Sequence, residues 1–100
     1  MKVKVVGDII TVRGFGFAGI EGVVAETASD ARMAIRSMLE DADVGLILVA
    51  QSVANMLGGE FDDYRFRRHL PLVLSIKDST GESAKEDIME IVQKSLGLKL

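Results

Sequence analysis

Residues Val44 to Ala50 read VGLILVA, an unbroken apolar run. A strand with one wet face alternates apolar and polar side chains; a strand covered on both faces does not need to, and such strands belong to parallel sheets. Three weaker runs share this character. Val3 to Val6 is rich in β-branched residues and ends at Gly7-Asp8. Gly22 to Ala25 (GVVA) lies between turn signals, and Leu70 to Ile76 carries Pro71 at its beginning, where a strand tolerates it. Between these runs the pattern turns helical. Thr11 to Ala18, with Gly14 and Gly16 inside it, predicts short irregular helical turns closed by Gly19. Thr27 followed by Asp30 is a helix-start signature, and Ala31, Ala34, Ile35, Met38 and Ala42 then recur at helical spacing, with Arg32, Arg36 and Glu40 on the other side. Ser52 to Met56 predicts a short helix broken at Gly58-Gly59, and Phe61 to Arg68 a short helix or structured loop. Strand and helix alternate throughout, which implies parallel strands joined by right-handed crossovers. The expected fold is α/β: an open four-stranded, mostly parallel sheet flanked by helices, flavodoxin-like in order and shortened at one edge, plus a C-terminal helix.

Composition narrows the function classes. The 100 residues fit one domain. Twelve Lys+Arg against 15 Asp+Glu leave a net charge of −3, which argues against a general nucleic-acid binder. With no Cys, disulfides, thiolate metal sites and Cys nucleophiles are excluded, and one His, His69, rules out a His-rich metal centre. No apolar run reaches the roughly 18 residues that a bilayer span needs, and the N-terminal apolar part is too short for a signal peptide. These features predict a cytosolic protein that binds rather than catalyses, with no cofactor and no metal.

The C-terminal part differs in character. Residues 1–76 form the α/β domain, 77–81 (KDSTG) a linker, and 82–100 an amphipathic helix and tail. Ala84, Ile88, Ile91, Val92 and Ser95 make one helical stripe; acids crowd the first turns, Lys94 lies in the last and Gly97 follows, all of which suit the helix dipole and cap. The stripe either covers the chain's own sheet or docks on a partner groove, and its periodicity is the same in both cases.

Three constellations invite a chemical reading. Gly14-Phe15-Gly16-Phe17-Ala18-Gly19 matches GxGxxG, but the first strand already ends at Gly7 and a strand, not a helix, follows Gly19. The bland alternative is a helix that packs Phe15 or Phe17 into the core. Asp8 sits where open α/β sheets bind ligands, yet the third strand ends in Val49-Ala50-Gln51 without a carboxylate, so Asp8 reads as a turn cap. Arg65, Arg67, Arg68 and His69, interleaved with Phe61, Tyr64 and Phe66, form a basic cluster preceded by Asp62 and Asp63. It reads as a solvated face or a protein contact. No Ser, Cys or acid is arranged around His69 for catalysis.

Gly7-Asp8, Thr11-Val12, Gly14-Phe15 and Ala18-Gly19-Ile20 together resemble the N-terminal signature of the F subunits of archaeal- and vacuolar-type rotary ATPases. Val44 to Val49, Leu70-Pro71-Leu72-Val73 and the ending Leu96-Gly97-Leu98-Lys99-Leu100 are similar to later parts of that family. The chain departs from the pattern at Gly16, where a long polar side chain is usual, at Phe17, where Leu is usual, and at Lys77, where Pro is frequent. The resemblance implies a non-catalytic rotor component of the central stalk. It would bind the coiled-coil shaft subunit, contact the catalytic head through its C-terminal helix, and couple ATP synthesis or hydrolysis to proton or sodium transport. It would lie on the cytoplasmic side of the cell membrane as a peripheral part of the complex. Candidate partner-binding residues are Arg65, Arg67 and Arg68 toward the shaft, and Ile88, Ile91 and Val92 toward the head. The alternative is a small flavodoxin-like ligand-binding or signalling domain.

Overall fold

The computed structural model describes residues 1–78. The C-terminal helix expected from the sequence, and with it Ile88, Ile91 and Val92, lies outside the described residues. The elements run β1 (Lys2–Gly7), α1 (Ile9–Phe17), β2 (Glu21–Val24), α2 (Ala28–Glu40), β3 (Val44–Ala50), α3 (Gln51–Leu57), α4 (Gly59–Arg65) and β4 (Leu72–Ile76). The strands form one sheet in the order β2-β1-β3-β4, every neighbouring pair parallel, with Val5 opposite Gly22 on one side and Leu48 on the other. This is the α/β architecture and the strand order that the apolar runs predict.

β3 is central and all its residues are buried. Its side chains feed two cores. Ile47 and Val49 join Val6, Val73 and the inner faces of α2, α3 and α4. Leu46 and Leu48 join Val5, Phe15 and Ile76 on the opposite face. The continuous apolar run thus has its physical reason: neither face of β3 is wet.

The helix starts are set by side chains. Thr27 accepts a hydrogen bond from the Asp30 N–H at 3.1 Å, and the Asp30 carboxylate accepts from the Glu26 N–H at 3.2 Å. Two N–H groups at the helix start are satisfied reciprocally, close to a capping box. α2 buries Ala31, Ala34, Ile35 and Met38 as expected, but ends at Glu40, so Ala42 falls beyond the helix and is exposed.

α1 is more regular than its glycines suggest. Asp8 caps it, accepting from the Thr11 N–H at 3.3 Å and from the Thr11 hydroxyl. At the other end Gly19 adopts φ +83° and its N–H reaches the Gly16 carbonyl at 3.0 Å, while the Ile20 N–H reaches the Phe15 carbonyl at 3.0 Å. This is a Schellman ending, and it requires the left-handed residue that glycine supplies at least cost. Ile20 and Phe15 pack in the same cluster, which adds the apolar contact typical of that ending. Two good caps therefore hold a helix that glycine would otherwise weaken by about 1 kcal/mol per position.

Candidate partner-binding surfaces

The helix caps decide the glycine motif. In a dinucleotide site the glycines open a helix whose N-terminus receives the pyrophosphate. Here Gly14 and Gly16 lie inside α1 and Gly19 lies just past its C-terminus, where the dipole is negative. The N-terminus of α1 is already occupied by a carboxylate. Burial pushes Asp8 up, but the Thr11 hydroxyl and backbone N–H outweigh it and hold the group below its ordinary value. An anion there repels phosphate. Phe15 fills the core with no exposure, whereas Phe17 is 90% exposed.

The backbone is also closely packed at the carboxyl end of β1. A Cβ added at Gly7 would lie 3.1 Å from the Ala50 Cβ and 3.2 Å from the Thr11 methyl. Among the described residues no group of His, Asp or Glu side chains is placed to hold a metal ion. A groove of about 290 Å³ lies between β2 and α2, lined by Lys4, Glu21, Val23, Met38 and Val44. It opens at the amino ends of the strands, opposite the edge where open α/β sheets bind ligands. Lys4 and Glu21 at its rim pair with each other. Both features that favoured a ligand-binding domain, Asp8 and the glycine run, thus have structural tasks.

Two surfaces remain. The first is the basic cluster. Arg65 closes α4 and bonds Asp62 at 3.3 Å, and its guanidinium lies 4.7 Å from the centre of the Phe66 ring. Phe66 is 69% exposed. Arg67 is half-buried, and its Nε is buried with no acceptor among the described residues. Arg68 and His69 are exposed, and so is Leu70. The structure thus keeps Arg65, Arg67 and Arg68 together on one short segment that runs from the end of α4 toward β4.

That segment is positioned by a latch no local pattern reveals. Arg32 on α2 grips Glu60 on α4 side-on, with Nε at 2.8 and 3.0 Å from the two carboxylate oxygens and Nη2 at 2.9 Å. The Tyr64 hydroxyl donates to the same carboxylate at 2.5 Å. Phe61 anchors α4 in the core. The hydrogen bond from Arg32, then that from Tyr64, pull Glu60 down to about 2. Its folded value lies below the unfolded one near 4.5, so the stabilisation is complete above about pH 4.5 and lost as pH falls toward 2. Glu60→Gln should therefore lower the urea midpoint at pH 7, and the gap to the parent should close between those two pH values. A gap that stays constant with pH would show that the latch is not ionic.

The second surface is the outer side of α1. Ile10 (62% exposed) and Phe17 (90% exposed) lie seven residues apart on one side of the helix, with Arg13 between them, and Ile9 is half-exposed beside them. No motif in the sequence marks this face. The available signal was that α1, IITVRGFGF, is apolar around nearly its whole circumference, as helices covered on more than one side are.

The chain is similar to known proteins over its full length. It matches the family of the ATP synthase (F/14-kDa) subunit over residues 3–92. It is 34% identical to the F subunit of the A-type ATP synthase of Pyrococcus furiosus, an alignment that covers 100% of this chain and 98% of that protein. It is 33% identical to the F subunit of Pyrococcus abyssi over the same shares, and 30% identical to that of Methanothermobacter thermautotrophicus, covering 99% of this chain and 95% of that protein. The kinship spans the whole sequence: the chain belongs to the family of the ATP synthase (F/14-kDa) subunit, as a non-catalytic component of the complex.

Proposed function

We propose that this chain is a central-stalk, rotor-side subunit of an A-type ATP synthase, bound to the coiled-coil shaft subunit. In this reading it helps couple ATP synthesis or hydrolysis to proton or sodium transport. The observation that carries the reading is the full-length kinship to the F subunits of A-type ATP synthases. The surfaces support it: exposed apolar and basic side chains lie on α1 and on the segment that follows α4, around a four-stranded parallel sheet. No helix among the described residues is long and apolar enough to cross a membrane. In this reading the chain joins the membrane-associated complex as a peripheral part, on the cytoplasmic side.

Residues 82–100 are assigned the contact to the catalytic head, through Ile88, Ile91 and Val92, tethered by residues 77–81. Where that tether begins, the Asp78 carboxylate accepts from the Ser52 N–H at 3.1 Å, in the first turn of α3. The segment thus departs from a fixed point beside β3 and β4.

Native mass spectrometry of the chain mixed with the coiled-coil shaft subunit of the same genome tests the core of the proposal. A stable one-to-one complex is expected; two folded proteins that fail to associate would overturn it. The role of the tail is tested in the reconstituted complex. Ile88→Asp or Ile91→Asp should change the hydrolysis rate while shaft binding persists, and equal loss of both would refute that division of labour.

A further inference from the structure

We propose that the segment from Arg65 to Leu70 is the seat of an acidic helical surface of the shaft, and that Arg67 takes one of its carboxylates side-on. The inference rests on the stalk reading and adds the chemistry of the contact.

The charge is complementary to such a partner. The chain carries −3 overall, yet residues 65–68 concentrate three guanidinium groups within four positions. Among the described residues, Asp62 bonds one of them, Arg65. Arg67 is the informative member. A satisfied arginine in this protein looks like Arg32, whose Nε and Nη2 hold Glu60 between them. Arg67 Nε, by contrast, is shielded from water with no acceptor among the described residues. Leaving a charged donor so placed is unfavourable, and a carboxylate offered from outside would satisfy it in a charge-assisted fork.

The neighbours fit the same use. Phe66 projects an exposed ring with the Arg65 guanidinium against it, and Leu70 is 54% exposed nearby in sequence. Aromatic and arginine side chains at a desolvated centre are the usual anchors of protein interfaces. The grip of Arg32 on Glu60 holds α4, and so fixes where this anchor is presented. A polyanionic nucleic acid fits less well, because Asp62 and Asp63 flank the segment and the whole chain is acidic.

The test uses the intact chain and the purified shaft subunit, with affinity measured at low and moderate salt. Arg67→Gln should weaken binding about 10- to 100-fold and reduce its salt dependence, with the thermal unfolding of the free chain unchanged. Arg67→Lys, which keeps the charge but not the fork, should recover less than half of that loss on a logarithmic scale. Phe66→Ala, at an exposed site, should weaken binding without affecting the fold, and it remains decisive if either Arg67 variant misfolds. Parent-like affinity in Arg67→Gln, or in Phe66→Ala if Arg67→Gln misfolds, would overturn the proposal while the stalk reading stands. Full rescue by Arg67→Lys would reduce the site to a diffuse charge effect and also overturn it. Tight binding of the parent to duplex DNA, abolished by Arg67→Gln, would reassign the patch to polyanions. A parent chain that does not bind the shaft at all would remove the stalk reading and this inference with it.

Discussion

Replacing Phe15 by alanine is expected to lower the unfolding free energy by about 3–5 kcal/mol, whereas Phe17→Ala should stay within about 0.5 kcal/mol of the parent. The two rings sit two residues apart on α1, yet one is fully buried and the other is 90% exposed. Phe15 packs in the core formed by Val5, Leu46, Leu48 and Ile76. Its removal leaves a cavity that β-sheet backbone cannot collapse to fill, and the lost contacts add to the lost transfer energy. It also thins the cluster against which Ile20, the residue after the helix ending, packs. Urea unfolding followed by circular dichroism measures both variants. Equal costs would mean that α1 is rotated about its axis from the orientation described.

Gly22→Ala should cost about 3 kcal/mol, at the upper end of overpacking effects, while Gly45→Ala should cost well under about 1 kcal/mol. Both glycines lie in strands, so sequence gives no reason to rank them. A Cβ at Gly22 would overlap the Val5 Cγ1, and it would lie 3.0 Å from the Val5 carbonyl and 3.1 Å from the Val12 Cγ1. Val5 is fully buried and β-branched, so its methyl cannot swing away, and the carbonyl belongs to the neighbouring strand. Relief requires β2 to move outward, against its pairing with β1. A Cβ at Gly45 would instead meet the Met1 sulfur at 2.7 Å. The Met1 Cγ and Cβ lie at 3.0 and 3.1 Å as well, but Met1 is 76% exposed, so its unbranched side chain turns aside and a shift of a few tenths of an ångström relieves the rest. Thermal unfolding of the two variants side by side tests the contrast.

Much of the fold was legible because it is driven by burial, and burial writes itself into the sequence as a pattern. The run VGLILVA reads as a strand covered on both faces, and Thr27 with Asp30 as a helix start. The resemblance to the F subunits of rotary ATPases, read from Gly7-Asp8 through Ile20, agrees with the kinship found over the whole chain. Other features were not legible because they depend on partners distant in the chain. The glycines of α1 predict irregular turns on local propensity; the Asp8 cap and the ending at Gly19 override that propensity. Which phenylalanine points inward is invisible in a helix apolar on most sides. The Arg32–Glu60 latch joins residues 28 apart, and no period connects them. The basic cluster was visible as composition, but the different situations of Arg65, Arg67 and Arg68 emerge only from their surroundings.

The parallel course of β4 has a mechanical consequence. The strand separates the basic segment at its start from Asp78, which leaves the sheet at its far end. Five extended residues set a gauge of about 16 Å between those points. A hydrogen-bonded strand neither stretches nor buckles under small loads, so the sheet acts as a spacer. With the basic segment seated on the shaft as proposed above, one end of that spacer would ride on the axle and the other would hold Asp78, where the C-terminal segment begins, at a constant standoff. The rotation of the shaft would then be delivered to the tail as a change of position, with no deformation inside the domain that carries it.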